Sequence, residues 1–301
     1  MTAVRWSVVV PTYNRPRQIA ACLKCLSTLT PPSGNFEIIV VNDGGTAPPA
    51  DAVERARHGA PARVTVLNQE NRGPAVARNT GAERAQGEWL AFTDDDCLPD
   101  PDWLLQLDRV TSGSPDTLLG GRTINAFEDN LYSVASQLLT DFTAAYFDGG
   151  AVGRFYNSNN MAVPRDAFVK AGGLDARFAR AGEDREFSDR WSARGQPSRT
   201  VELAVVHHAH DLTLRGFLRQ HFTYGRGASA YRRIRAEAGR PVRIEPKFYL
   251  QLLRHTGTVA RGPRAAALSA LILLAHSAYG AGLLSGTIRR GRGSHRTHDS
   301  W

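Results

Sequence analysis

The stretch 89-WLAFTDDDCLPD-100 runs an apolar tetrapeptide into three consecutive carboxylates and then into a proline. Four apolar residues ahead of a polar break have the length of a buried strand. Three acids at a strand end repel one another unless cations compensate them. Hard divalent ions such as Mg²⁺ or Mn²⁺ take oxygen ligands, commonly one or two carboxylates together with substrate phosphates. Asp94 and Asp96, two residues apart, can both address one ion and its diphosphate, with Asp95 aimed elsewhere, for instance at a sugar hydroxyl. An N-cap role for the acids competes with this reading, because "DCLPDPDW" leads into a helical segment, but Asp100 or Asp102 can fill that role.

Outward from this stretch, apolar runs of strand length alternate with amphipathic segments of helical length. Strands are expected at Trp6–Val10, Phe36–Val41, Arg63–Leu67, Trp89–Phe92 and Thr117–Thr123, and helices at Pro16–Leu29, Ala50–Arg57, Pro74–Ala85 and Asp102–Val110. Such alternation predicts an α/β fold: a Rossmann-like, mostly parallel sheet with helices on both faces. Ligands of these sheets bind at the carboxyl ends of the strands. "PTYNRP", "NDGG", "NQENRG" and "TDDD" follow the first four strands in turn, so all four polar clusters fall on one edge.

These clusters suit a nucleoside diphosphate. Tyr13 offers a stacking face, Pro11 a rigid strand exit, and Arg15 a cation in the same loop. Asp43 offers an acceptor for an imide N–H, with Gly44 and Gly45 allowing a close backbone turn. Arg78, on the helix behind a glycine turn, can reach a base, ribose or phosphate. Glu183 and Asp184 open a helix in "GEDREFSDRW", where acids also suit the helix dipole. Arg190 lies four residues after Glu186 and seven after Glu183, the spacing of a salt bridge on one face. "VVHHAHD" ends a sixth or seventh strand with three histidines, His207, His208 and His210, any of which can complete a Mn²⁺ site.

The 301 residues carry a net charge of +8, unevenly spread. From Asp211 onward there are 16 Lys and Arg against 4 Asp and Glu, leaving 21 against 25 before it. A basic end of this kind faces an anionic surface. Residues 265–284 form an uncharged run bordered by arginines. It has the length of a bilayer span, yet its Ser, Gly, Ala and His content also fits an interfacial helix or a buried one. A Gly/Arg/Ser/His-rich tail from about residue 289 reads as disordered. Cys22 and Cys25 form a C-x-x-C on a helix without a second pair at zinc spacing, which argues against a metal or redox centre there. The segment before Pro11 is too short for a signal-peptide core.

In chain order, "SVVVPTYNRP", "EIIVVNDGG", "NQENRGPAVARNTGAERAQGEWLAFTDDDCLPDPDWL", "NSNNMAVPRDAFVKAGGLD" and "GEDREFSDRWSARG" resemble the successive motifs of inverting glycosyltransferase family 2, over roughly residues 5 to 210. The resemblance implies the GT-A fold. It implies nucleoside binding at Pro11, Tyr13, Asp43 and Arg78, metal and diphosphate binding at Asp94 and Asp96, with Asp96 the direct ligand, and Asp184 as general base; Arg15 and Asp95 are read beside them as donor-binding residues. Asn42 departs from the family, many members having a second Asp there. His208 is preferred among the histidines because its distance to Thr213 fits the family pattern. The implied organisation is a catalytic domain over residues 1–211 and a basic helical extension over 212–301. The implied function is sugar transfer from a nucleotide-diphosphate donor, a UDP-sugar, with Mn²⁺ or Mg²⁺. The acceptor is a hydroxyl of a glycan, lipid-linked or other cell-envelope molecule, and the enzyme sits in the cytoplasm, held peripherally or by one helix at the inner face of the plasma membrane. Metal-dependent nucleotidyl transfer to a sugar phosphate is the alternative, weakened because "PTYNRP" is not a glycine-rich phosphate loop. The acid clusters argue against a nucleic-acid binder. Polymerising synthases carry a "QxxRW" motif, whereas "SDRW" lacks the Gln three residues before Arg190.

Overall fold

The computed structural model describes residues 4–32, 35–48, 50–59, 63–113, 116–147, 155–178, 180–242 and 246–291. Among them, eight strands form one sheet: β1 (Val4–Thr12), β2 (Asn35–Asp43), β3 (Arg63–Gln69), β4 (Trp89–Phe92), β5 (Cys97–Pro99), β6 (Leu118–Asn125), β7 (Met161–Pro164) and β8 (Ser198–His208). The helices are α1 (Pro16–Leu26), α2 (Ala50–Gly59), α3 (Pro74–Arg84), α4 (Trp103–Asp108), α5 (Leu131–Phe147), α6 (Arg165–Ala171), α7 (Glu183–Ala193), α8 (Leu214–Glu237), α9 (Pro246–Val259) and α10 (Gly262–Gly291).

The strand order is β3-β2-β1-β4-β7-β6-β8-β5. The first four in that order are parallel, as the apolar runs imply for strands buried on both faces. The other half is mixed: β7 runs antiparallel to β4 and β6, β6 and β8 are parallel, and β5 is antiparallel to β8. Strict alternation along β1 divides the core. Val8 and Val10 point to a layer built with Ile19, Leu23, Val53 and Leu104 of α1, α2 and α4. Val9 points to the opposite layer, with Ala77, Ala82, Phe168, Phe187 and Trp191 of α3, α6 and α7. A Cβ on Gly81 would lie 2.4 Å from Val9 Cγ1, so α3 is seated directly on β1.

Two differences from the sequence reading concern short elements. "VVHH" ends the eighth strand, not the sixth or seventh, because β5 and β7 are only three and four residues long, and each ends at a proline. The helix expected from Asp102 begins at Trp103, and Asp102 accepts a hydrogen bond from Thr30 Oγ1 (2.7 Å) instead of capping its own helix.

Two compact units make up the chain. One comprises Met1–Phe127, Phe147–Ala179 and Glu183–His210, and contains the sheet. The other comprises Glu128–Tyr146, Arg180–Gly182 and Asp211–Trp301. Within the second unit α8 and α10 meet through glycines. A Cβ on Gly225 would lie 2.0 Å from the Tyr279 carbonyl oxygen, and one on Gly282 equally close to that of Phe222. Helix α10 extends past residue 284 through 289–291, which the sequence reading gave to the tail; residues 292–301 lie outside the described residues. Among the described residues, one helix, Gly262–Gly286, is long and apolar enough to cross a membrane. All three cysteines are free.

Candidate active site

Thr12, Asp43, Gln69 and Phe92 end the four parallel strands at one edge of the sheet, and the expected loops leave from there. Behind β4 the chain turns at once. The Cys97 amide donates to the Asp94 carbonyl (3.1 Å), and this turn sends the three carboxylates in different directions. Each finds a protein partner. Asp94 accepts a very short hydrogen bond from Arg78, Asp95 accepts from Thr12 Oγ1 (2.8 Å) and Arg15 (3.1 Å), and Asp96 accepts from the same Arg15 nitrogen (2.7 Å). Mutual repulsion is thus relieved by two arginines. Burial pushes the Asp95 carboxyl up to about 6 against the pull of Arg15.

Pairing of β5 with β8 places Cys97 opposite His208, and the Ala209 amide donates to the Asp96 carbonyl (2.7 Å). His208 Nε2 therefore lies 3.5 Å from Asp96 Oδ1. Burial acts to raise the Asp96 carboxyl, but the hydrogen bond and charge of His208, with Arg15 and His210, hold it below the ordinary carboxylate range. Asp96, Cys97 and His208 offer donor atoms within 4.8 Å of one another. Burial and the neighbouring acids push the Cys97 thiol up, so its sulfur stays protonated, and the carboxylate and imidazole form the oxygen–nitrogen pair suited to Mn²⁺. The other histidines differ. His207 bonds Asp100 Oδ1 at 2.9 Å, and His210 packs edge-on against the His208 ring, centroids 3.8 Å apart.

A second corner gathers the loops after β1 and β2. Tyr13 is 49% exposed. Asn14, at φ 54°, accepts through Oδ1 from the Thr46 amide (2.8 Å), and a Cβ on Gly45 would lie 2.6 Å from the Asn14 nitrogen. Asp43 is buried and already accepts three hydrogen bonds, from Gln69 Nε2 (2.7 Å) and the amides of Arg72 and Gly73 (2.9 Å each). It therefore ties β2 to the loop before α3. Asn42 donates through one amide nitrogen to Gly45 O (3.1 Å) and Asn68 Oδ1 (3.0 Å), which an Asp at this position could not do.

Across from these lies the first turn of α7. Asp184 accepts from the Arg185 amide (2.8 Å) and the Ser158 amide (3.3 Å). Burial pushes its carboxyl above the ordinary range, the Asp94 charge adding to this and Arg78 opposing it. Glu183 is likewise raised, by burial and then by the Asp184 charge, and pairs with Arg78 at 2.9 Å. Arg190 pairs with Glu186 (2.8 Å), the i,i+4 bridge expected, while Glu183 turns to Arg78. The sequence carried no signal for that long-range pair, nor for Arg15 as the shared counter-ion of Asp95 and Asp96.

The fold is GT-A-like, as solved glycosyltransferase structures show. A mannosyltransferase from Pyrobaculum calidifontis, in complex with GDP-Man and Mn²⁺, superposes with TM-score 0.61 over 97% of this chain and 88% of its own, at 19% identity. Residues 1–349 of the Staphylococcus aureus enzyme TarS, a poly(ribitol-phosphate) beta-N-acetylglucosaminyltransferase, superpose in complex with UDP-GlcNAc at TM-score 0.50 over 98% of this chain and 94% of that fragment, at 16% identity. The sequence profile of Glycosyl transferase family 2 matches residues 7–171, and the chain belongs to that family. Among curated relatives, glycosyltransferase AglE of Haloferax volcanii is 32% identical over 115 residues, 38% of each chain. The chain spans about half or less of the length of the first curated relatives it matches.

Proposed function

We propose that this chain is a metal-dependent inverting glycosyltransferase that moves a sugar from a nucleoside diphosphate, a UDP-sugar, to a hydroxyl of a cell-envelope or lipid-linked acceptor. The observation that carries the reading is the approach of His208 to Asp96, 112 residues away in the chain, beside a turn that already holds Asp94. Asp96 and His208 would hold Mn²⁺ or Mg²⁺, with Asp94 turned to the same ion and the diphosphate. A divalent ion there supplies positive charge to the departing diphosphate. Tyr13 stacks on the base, Pro11 sets the strand exit, and Asp43, with one acceptor position left beyond its three hydrogen bonds, meets the imide N–H. Arg15 leaves the Asp95–Asp96 pair to meet phosphate oxygens.

Asp184 is the general base. Its two backbone amides fix the carboxylate, and burial raises its proton affinity toward that of an effective base near neutral pH. The acceptor oxygen attacks the anomeric carbon as Asp184 takes its proton. The bond to the diphosphate breaks on the opposite face, and configuration inverts. GDP-Man and UDP-GlcNAc in the neighbouring structures support a nucleotide-sugar donor, and TarS supports an envelope acceptor.

Residues 1–211 form the catalytic part in this reading and 212–301 a basic extension. Its α10 exposes Leu273 and Leu284, at 57% and 62%, on a stretch without charge, which suits insertion of one face into an anionic cytoplasmic membrane surface. A panel of nucleotide-sugars with Mn²⁺ tests the reading. Wild type should release nucleoside diphosphate, Asp96→Ala should lose Mn²⁺-dependent nucleotide binding, and Asp184→Asn should bind but not transfer. Release of pyrophosphate, or normal turnover by Asp184→Asn, overturns it.

A further inference from the structure

Arg15 stands at the N-cap of α1 with its backbone held: its carbonyl accepts from the Ile19 amide (3.0 Å), and Asn14 before it is pinned to Thr46. Its side chain is 50% exposed, yet one terminal nitrogen serves both Asp95 Oδ1 (3.1 Å) and Asp96 Oδ2 (2.7 Å), whose side chains are only 6% and 13% exposed. Two nearly buried carboxylates thus share one cation that reaches them from the surface. Asp96 divides its oxygens, Oδ2 meeting Arg15 while Oδ1 faces His208 Nε2. Arg15 therefore leaves the candidate coordinating oxygen open but sets a positive charge against the same carboxylate. Arg78 already answers Asp94. Three acids, Asp94, Asp95 and Asp96, against these two arginines leave at most one net negative charge to attract a divalent ion.

A unit charge hydrogen-bonded to a ligand carboxylate costs a divalent ion about tenfold in affinity even in a water-like dielectric. A diphosphate reverses that balance, because its oxygens offer the guanidinium fork a second anion and offset the charge of the ion. Half exposed, the Arg15 head can move from acid to phosphate without opening the core, and Asp95 keeps its bond to Thr12 Oγ1 (2.8 Å). Resting on the transferase reading above and deepening it, we infer that Arg15 is a resident counter-ion of the Asp95–Asp96 pair: it disfavours a divalent ion in the bare site and gives up the acids once a nucleoside diphosphate draws it away. Metal and nucleotide uptake are thereby coupled. The coupling is reciprocal, so the factor that nucleotide adds to ion affinity is the factor that the ion adds to nucleotide affinity.

Mn²⁺ titrated into the full chain without nucleotide, followed by calorimetry and by the paramagnetic resonance of unbound Mn²⁺, separates charge from shape. Arg15→Gln should bind Mn²⁺ about tenfold more tightly than wild type, and Arg15→Lys, which keeps the charge, within about twofold of wild type. Saturating UDP should tighten Mn²⁺ on wild type and do so by a smaller factor on Arg15→Gln. A thermal midpoint gives a second readout apart from activity. Arg15→Gln leaves the acid pair without its cation, so it should melt below wild type in the absence of metal and gain more from added Mn²⁺. Equal or weaker Mn²⁺ binding by Arg15→Gln, matching behaviour of Arg15→Lys and Arg15→Gln, or an equal UDP effect on wild type and Arg15→Gln overturns the inference and leaves the transferase reading standing. Failure of wild type to bind Mn²⁺ even with UDP, or undiminished binding by Asp96→Ala, removes that reading and the inference with it.

Discussion

Replacing Asp43 isolates what its carboxylate does before any ligand arrives. Its Oδ1 accepts from Gln69 Nε2 and the Arg72 amide, and its Oδ2 from the Gly73 amide. Asp43→Ala removes the acceptor of both part-buried backbone donors, a net loss of about 0.5–1.5 kcal/mol each. A factor of ten corresponds to about 1.4 kcal/mol, so hydrogen exchange at the Arg72 and Gly73 amides should accelerate about 2- to 10-fold. Asp43→Asn, with its amide oxygen in place of Oδ1, should keep protection at Arg72 and lose it at Gly73, where an NH₂ group now faces an N–H. Exchange resolved at single amides, without nucleotide, reads both variants. Unchanged protection in Asp43→Ala would refute the assignment of this acid as the tie between β2 and the loop before α3.

Four further outcomes are expected. Gly225→Ala, whose Cβ would lie 2.0 Å from the Tyr279 carbonyl, should lower the thermal midpoint by forcing α8 from α10, whereas Gly280→Ala, with nothing within 4 Å, should raise it, because helix propensity adds about 0.5–1 kcal/mol of stability. The raised carboxyls of Glu183 and Asp184 hold protons when folded that they have released when unfolded. Their contribution therefore falls as pH climbs from about 4 through the raised values, and a stability profile of Glu183→Gln should be flatter there. Transfer should rise over the same interval, because the base acts unprotonated, and a rate that falls instead would contradict Asp184 in that role. Leu273→Glu with Leu274→Glu, both exposed, should leave the thermal midpoint unchanged and cut co-sedimentation with anionic vesicles, and undiminished binding would reject the α10 face as the contact.

The parallel half of the sheet was legible because strands buried on both faces read as continuous apolar runs, as in "SVVV" and "EIIVV". The short strands of the mixed half were not: "CLP" and "MAVP" are too short to show a period and owe their pairing to partners far along the chain. The polar clusters at the strand ends announced themselves through residue type and position. What each side chain grips did not, since Arg78 and Glu183 are 105 residues apart and Arg15 and Asp96 are 81. Single-sequence patterning records spacing along one element, whereas these bonds depend on how elements come together.

The β5–β8 ladder makes the nitrogen beside Asp96 a matter of backbone alignment. Cys97 faces His208, and Leu98 faces His207, whose ring turns instead to Asp100. Side chains alternate along a strand, so removing one residue from the 201–206 stretch would bring Ala209 opposite Cys97 and take the imidazole away from Asp96. A deletion that alters no acid, no arginine and no histidine would thus erase half of the candidate ligand pair, and length polymorphism in that strand would act on cation uptake as surely as mutation of the histidine itself.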